Sequence, residues 1–469
     1  MLQNHISNLI TKNFSFSPTK GQEILIGKLA EFVIEKKALQ VLLVNGYAGT
    51  GKTSIINAFV KALDELKIKS ILLAPTGRAA KVLMNYTSKN ANTIHKKIYR
   101  QKSSKDGFGE FVLDKNLYKE TYFIVDESSM ITNDSGDYSI FGSGRLLDDL
   151  ISYVYNDWKC KLILLGDTAQ LPPVGLDISP ALDVKILEEY DLEAISVGLD
   201  EVMRQSKQSG ILSNATKIRE NIANNIFKIQ FNIDSFKDIE RINGNDLIES
   251  LENSINKYGI EEVVIICRSN KRANEYNKGF RNRILYREGE LSTGDLLMVV
   301  KNNYYWLDNN DQIDFIANGD IIEILKIHGF EEQYGFRFAD VTIKLIDYQD
   351  IEIRVKIILD SLMIDSASIP SERNKELFYA VAEDYSELKI KKKIYQQVRE
   401  DKYFNALQVK FAYAITCHKS QGGQWKAVYI DQGYLTDEMI NKEYLRWLYT
   451  AVTRATEKLF LINFNDKYF

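Results

Sequence analysis

Through the first 200 residues, short apolar runs alternate with longer amphipathic stretches. Runs at 40–45, 70–75, 121–126, 160–166 and 194–199 predict strands, and residues 53–66 and 77–85 predict helices. The rhythm returns later, with strands near 262–267, 409–416, 426–431 and 458–463 and helices over 270–286 and 441–455. Strand and helix units in this alternation build parallel sheets, so the pattern predicts an α/β protein with two such halves.

Two stretches break the rhythm. Residues 294–404 are rich in β-branched and aromatic side chains, carry the turn dipeptide Asn318-Gly319, and end in a charged segment that includes the cluster from Lys389 to Lys393. They predict an inserted β-rich subdomain whose charged end, Glu383 to Lys402, forms a helical or hairpin extension. The polar segment 100–120 centres on Asp106-Gly107 followed by Phe108, Phe111 and Val112, the local chemistry of a tight hairpin.

Composition narrows the classes. The chain has 469 residues, 45% of them hydrophobic, which excludes disorder and is long enough for two or three domains of roughly 150 residues. Lys and Arg number 60 against 64 Asp and Glu, so any polyanion site must be a local groove and not a global positive field. Three cysteines, Cys160, Cys267 and Cys417, form no C-x-x-C pair, which argues against a disulfide framework or structural zinc and for a reducing cytoplasm. No apolar run approaches the ~20 residues that span a bilayer, so no membrane partner is expected.

The chemistry starts at Gly46-Tyr47-Ala48-Gly49-Thr50-Gly51-Lys52-Thr53, which follows an apolar strand and opens a helix, the setting that distinguishes a P-loop from a plain Gly-rich turn. Its backbone amides suit a triphosphate at a helix N-terminus, Lys52 adds charge at the β- and γ-phosphates, and Thr53 can ligate Mg²⁺. The strand over 122–125 delivers Asp126 and Glu127 at its carboxyl end, where open α/β sheets place ligand chemistry. Beside a P-loop, Asp126 suits the Mg²⁺ shell, and Glu127 suits orienting or deprotonating the attacking water.

The next strand runs into Gly166-Asp167-Thr168-Ala169-Gln170-Leu171-Pro172-Pro173. Gln170 fits a γ-phosphate sensor, and the string alone fits an ordinary strand-to-helix turn equally well. Arg204 and Arg454 lie where an arginine finger is useful, although each alone reads as a solvated helix residue, Arg454 with Glu457 three positions on. A P-loop enzyme with two halves needs cationic charge from the far wall of its cleft.

Taken in order, these motifs resemble the superfamily 1 helicases, RecD/Dda-like branch, over nearly the whole chain. The match runs from Gln22 through the P-loop, Ala74-Pro75-Thr76-Gly77-Arg78, Thr93-Ile94-His95 and Asp126-Glu127. It continues with the Gly166 loop and Met203-Arg204-Gln205, and closes with Ala414-Ile415-Thr416-Cys417-His418-Lys419-Ser420-Gln421-Gly422 and the Arg454 helix.

The resemblance implies two RecA-like domains with parallel sheets, a hairpin insertion in the first and an SH3-like insertion in the second. The divisions expected are 1–200 for the first domain, 201–293 and 405–469 for the second, and 294–404 for the insertion. It also implies an ATP- and Mg²⁺-dependent 5′-to-3′ DNA helicase acting on single-stranded and fork DNA, with no oligomer required. The nucleotide contacts it implies are Gln22, reading adenine, with Gly46, Gly49, Thr50, Gly51, Lys52, Thr53, Ser54 and Gly422; Thr53 and Asp126 hold the metal. DNA contacts carried over are Pro75, Thr76, Thr93 and His95 in the first half, and Asn270, Thr416, His418 and Lys419 in the second. Phe108 or Phe111 is expected to split the duplex, with a plain surface hairpin as the alternative. The Gly- and Ser-rich segment 131–145 receives no role. A Pif-family helicase of the same branch, an RNA-directed member of the superfamily, a protein-remodelling P-loop ATPase and a non-motor nucleotide-dependent binding module are the rival readings.

Overall fold

The computed structural model describes residues 1–101, 111–133, 142–156, 159–201, 208–307, 315–346, 348 and 351–469. Strands of the first 200 residues are β1 (Gln40–Gly46), β2 (Ser70–Ala74), β3 (Ala91–Thr93), the short pair β4 (Tyr99–Gln101) and β5 (Phe111–Leu113), then β6 (Tyr122–Val125), β7 (Lys161–Gly166) and β8 (Glu193–Leu199). Six of them form one parallel sheet in the order β3-β2-β6-β7-β1-β8. Val41 to Val44 of β1 are wholly buried because helices cover both faces of the sheet, so the strand reads as a continuous apolar run.

The second part supplies β9 (Ile239–Ile242) and β10 (Val263–Cys267). The chain then leaves for a closed barrel of β11 (Leu296–Val299), β12 (Ile321–Gln333), β13 (Phe336–Leu345), β14 (Ile351–Ile358) and β15 (Leu407–Phe411). It returns as β16 (Ala414–Thr416), β17 (Trp425–Asp431) and β18 (Ala455–Ile462), completing a second parallel sheet ordered β16-β10-β17-β18-β9. Two RecA-like parallel sheets and a small closed barrel are therefore the architecture.

Two features differ from the sequence expectation, and a third takes one of the two forms expected for it. The single strand expected at 409–416 is two: β15 closes the barrel by pairing with β11 and β14, and after a bend at Ala412 and Tyr413, β16 joins the second sheet. The barrel thus takes its fifth strand from beyond residue 404. The charged segment before it is helical, Ser371–Asp384 and Lys391–Arg399, and packs on Phe336 and Phe338 of β13. Finally, β3 and β9 are strands of three and four residues, with the sequences Ala-Asn-Thr and Ile-Glu-Arg-Ile, too short and polar for an apolar run to mark.

The hairpin expected at 100–120 is seen at its base, where Tyr99, Arg100 and Gln101 pair antiparallel with Leu113, Val112 and Phe111. Phe108 and the Asp106-Gly107 turn lie outside the described residues. Phe111 is buried, with its ring centroid 4.5 Å from Tyr304 and 6.3 Å from Phe315 of the barrel segment. A wedge must reach the duplex, so this burial removes Phe111 from the role expected for it. All three cysteines are buried and unpaired, and no described helix is long and apolar enough to cross a membrane.

Candidate nucleotide crevice and strand-facing surface

β1 delivers the P-loop and the helix Lys52–Glu65 carries it back. Gly49 and Gly51 take φ of 75° and 80°, left-handed values that cost a side chain but let successive amides turn to one side. A β-carbon on Gly46 would come within 2.6 Å of Lys52 Cγ and 3.1 Å of Leu199 Cβ, so glycine there is what lets the lysine stem fold over the loop. The Lys52 ammonium donates to the carbonyls of Gly46 and Tyr47. Thr50 is buried, its hydroxyl donating to Tyr47 O at 2.7 Å. Thr53 and Ser54 stand half-buried in the first turn of the helix.

Gln22 is buried beneath this loop. Its Oε1 accepts Thr19 N–H (2.9 Å) in a capping box, and its Nε2 donates to Thr50 O at 2.8 Å. The residue expected to read a base also braces the cradle from below.

Asp126 and Glu127 come directly after β6. Desolvation and the neighbouring Glu127 charge push Asp126 up to about 6, against the Glu127 amide, which donates to it at 2.9 Å, and the Lys52 charge. Glu127 sits at φ 52°, a left-handed conformation unusual for a side chain of this size and of the kind found at functional sites. The desolvated Asp126 carboxylate and the Thr53 hydroxyl are hard-oxygen donors of the kind Mg²⁺ takes. That ion commonly takes one or two protein carboxylates and completes its shell with water and phosphate. No group of three or more His, Cys, Asp or Glu gathers elsewhere among the described residues to compete for it.

The loop after β7 closes the first wall. Asp167 is buried and accepts Ala169 N–H at 2.9 Å, while the Oε1 of Gln170 is buried without a partner. A buried acceptor left unsatisfied is costly, and this one suits a water or ligand hydrogen.

The far wall is the helix Lys442–Val452 of the second half, capped by Asn441 and buried from Tyr444 to Val452. It lays several side chains on the first half. Arg446 Nη1 donates to Asp177 O (2.7 Å), and Thr450 Oγ1 accepts Leu171 N–H (2.9 Å). The Tyr449 hydroxyl accepts Ala48 N–H (2.9 Å) and donates to Asp167 Oδ2 (2.6 Å). Beyond the helix end, Arg454, 4% exposed, places Nη1 3.9 Å from Glu127 Oε1 and is held by Thr450 O and Gly423 O. Gln421 Nε2 adds a bond to Leu171 O at 2.6 Å, and Arg219 stacks 4.2 Å above the Tyr47 ring. The crevice therefore joins Lys52, Asp126, Glu127, Gln170 and Arg454 from distant parts of the chain.

Arg204 lies outside the described residues. Gly422, expected at the nucleotide, has φ 72°, and a β-carbon there would meet Ala79 (2.8 Å) and Thr76 (3.2 Å) before anything else. It faces the start of the helix Gly77–Thr87 rather than the P-loop, because the turn after the Cys417–Ser420 helix runs along that edge.

The residues expected to meet a strand sit at helix starts. Thr76 and Thr93 cap helices by accepting Ala79 N–H and Lys96 N–H, both at 3.2 Å, which leaves each hydroxyl proton to donate. Pro75 is half-buried beside them. Burial drops His95 to about 4, against the Asp149 charge, so at neutral pH its imidazole is uncharged. Across the cleft, Thr416 begins a short helix without using its side chain as a cap, His418 is held low by desolvation against Glu443, and Lys419 reaches Asn318 Oδ1 at 2.5 Å. Asn270 opens its own helix behind Ser269, whose side chain is the cap.

Tyr449, Thr450, Gln421 and Arg219 went unassigned in the sequence. Tyr449 and Thr450 lie on the apolar helix that leads to Arg454, where the residue types alone read as helix core; Gln421 lies inside the string from Ala414 to Gly422, and Arg219 carries no local signal.

A family model described as AAA domain matches residues 27–242, and one described as UvrD-like helicase C-terminal domain matches 411–462. An uncharacterized protein of Acanthamoeba polyphaga mimivirus is 25% identical, over 93% of this chain and 98% of its own. The ATP-dependent RecD2 DNA helicase of Deinococcus radiodurans is 23% identical over 94% of this chain, which spans half that relative's length. The ATP-dependent DNA helicase dda of Enterobacteria phage T4 is 25% identical over 70% of this chain and 73% of its own.

Two parallel sheets closing on a P-loop define the class of P-loop helicase enzymes. Motif order, fold and both family models agree further: the chain is similar to the superfamily 1 helicases, and among them to the RecD/Dda-like branch.

Proposed function

We propose that this chain is a motor that couples ATP hydrolysis to 5′-to-3′ movement along single-stranded DNA and to opening of a forked duplex. The observation that carries the reading is Arg454, a buried cation from the second half with its guanidinium 3.9 Å from the Glu127 carboxylate of the first. A cation so placed stabilises negative charge developing on transferred phosphate only while both walls are closed, which ties turnover to the relative position of the two halves.

In this reading the P-loop amides from Gly46 to Thr53, with Ser54, cradle the phosphates and Lys52 neutralises them. Gln22 reads the base, and Gly422 lets the second half approach. Mg²⁺, when bound, neutralises phosphate oxygens, and Thr53 and Asp126 are the residues that would hold it. Glu127 orients and deprotonates the attacking water, Gln170 holds that water through its unpartnered oxygen, and Arg204 joins Arg454 as a second finger.

The strand lies across Pro75, Thr76, Thr93 and His95 on one half and Asn270, Thr416, His418 and Lys419 on the other. Most of these groups are neutral hydrogen-bonders, which lets each half grip and release phosphates alternately, whereas a strongly basic track would hold too tightly to step. Polarity is carried by the family resemblance.

A strand-displacement assay on matched duplexes with a 5′ or a 3′ single-stranded tail, in DNA and in RNA, tests activity, direction and substrate together. The expected result is ATP-dependent opening of the 5′-tailed DNA duplex alone. Opening from the 3′ tail, or RNA preferred over DNA, contradicts it.

A further inference from the structure

Among the described residues, the Tyr449 hydroxyl is the one side-chain group of the far-wall helix that bonds a P-loop amide. It stands at a junction. It accepts Ala48 N–H at 2.9 Å and donates its own proton to Asp167 Oδ2 at 2.6 Å. Both partners belong to the first half, 401 and 282 residues away in the chain, whereas the tyrosine rides on the helix that also carries Thr450 and leads to Arg454. The phenol is almost fully buried, and burial together with the Asp167 charge holds its pKa well above the usual tyrosine value, so it keeps the proton it donates.

The loop beneath Tyr449 is gripped from the second half at three successive points. Asp167 is held by Tyr449, Leu171 N–H by Thr450, and Leu171 O by Gln421 Nε2 at 2.6 Å. Between them lies Gln170, with its buried, unpartnered oxygen. Gln421 closes the segment that begins with Thr416, His418 and Lys419, the proposed strand contacts. A connected path therefore runs from the strand-facing turn through Gln421 to the Gln170 loop, and through Asp167 and Tyr449 to the phosphate cradle at Ala48.

Taking the crevice as an ATP site, we propose that Tyr449 is the positioning residue that couples DNA binding to ATP turnover, its hydroxyl joining the Ala48 amide of the cradle to Asp167 of the Gln170 loop. When a strand seats on Thr416 to Lys419, the Gln421 and Thr450 bonds move the Gln170 loop with the second half. The Tyr449 bridge makes the cradle move in register, so that Gln170, Glu127 and Arg454 converge on the same phosphate. Without the hydroxyl, Asp167 Oδ2 and Ala48 N–H lose their shared partner and the two loops respond to DNA separately.

The test is Tyr449→Phe, which keeps the packed ring and removes only the hydroxyl. Steady-state ATP hydrolysis is measured with and without an unstructured single-stranded DNA oligonucleotide. The expected result is a fall of about tenfold or more in the ratio of stimulated to basal kcat, with KM for ATP within about threefold of wild type. A ratio within about twofold of wild type overturns the proposal. So does an equal loss of basal and stimulated rates, which is what a merely structural role produces. Asp167→Ala breaks the same bridge from its other end and is expected to lower the ratio in the same way, so the proposal stays testable if Tyr449→Phe folds poorly; an unchanged ratio in Asp167→Ala overturns it equally. A wild-type protein whose hydrolysis ignores DNA is a different outcome, which removes the reading of the crevice itself.

Discussion

The two parallel sheets are built alike and used differently, and the difference lies in how two of their strands connect to the next helix. In the first sheet, β1 reaches its helix through a loop with left-handed glycines at 49 and 51, and the helix starts at Lys52 with no side-chain cap. In the second, β10 reaches its helix through Arg268 and Ser269 alone, and the Ser269 side chain accepts Arg272 N–H at 3.2 Å, using the junction to cap its own helix.

The strand-end carboxylates repeat the contrast. Asp431, at the end of β17, is buried, neutralised by Arg272, whose Nε donates to it, and hydrogen-bonded by the Tyr276 hydroxyl, both at 2.8 Å. Asp126, after β6, is pushed up to about 6 by burial and the Glu127 charge, which the Lys52 charge only partly offsets. One carboxylate closes an internal ion pair and the other is left for chemistry. In the proposed reading, an α/β half becomes a phosphate site through one connection and one incompletely neutralised acid, and its twin, lacking both, serves as the moving wall that brings a cation.

That contrast can be broken at the first sheet with a large effect. Lys52→Ala removes the cradle's point charge, and ATP hydrolysis is expected to fall by at least about 10²-fold while single-stranded DNA binding without nucleotide stays within about threefold. Undiminished DNA-stimulated hydrolysis would remove the first sheet's special standing.

A smaller effect sharpens the second sheet's role. Burial lowers Lys419 to about 8, so its charge is present at about pH 7 and largely gone by about pH 9. DNA affinity is expected to weaken over that interval, and the salt dependence of binding to lose about 0.7 of its logarithmic slope, one phosphate contact. The stability sign is opposite. Between about pH 8 and the unfolded lysine value of 10.5 the unfolded chain binds more protons, so this residue makes the fold more stable as pH rises. Lys419→Met should abolish the interval's pH dependence in binding; its persistence would move the titrating group elsewhere.

Much of this was legible in local sequence. β1, β6 and β7 announce themselves because strands covered on both faces are apolar from end to end, and the glycine spacing of residues 46–53 has few other uses. The features that stayed hidden depend on distant partners. Phe111 looks like a hairpin tip in sequence, yet barrel-segment residues 304 and 315 bury it. Tyr449 looks like a core aromatic on an apolar helix until its hydroxyl is found on Ala48. The run 409–416 looks like one strand because period and composition do not change at the bend where it passes from barrel to sheet. Short polar strands such as β3 depend wholly on neighbours for their state.

The central claim is that these unlike halves make one engine, and Arg454→Ala tests it most directly. Steady-state ATP hydrolysis at saturating single-stranded DNA should show kcat lowered by about 10³-fold with KM for ATP within about threefold, the pattern of a group that acts on the transition state and not on nucleotide binding. A kcat within a few-fold of wild type would contradict the account, because turnover would then need nothing from the second half.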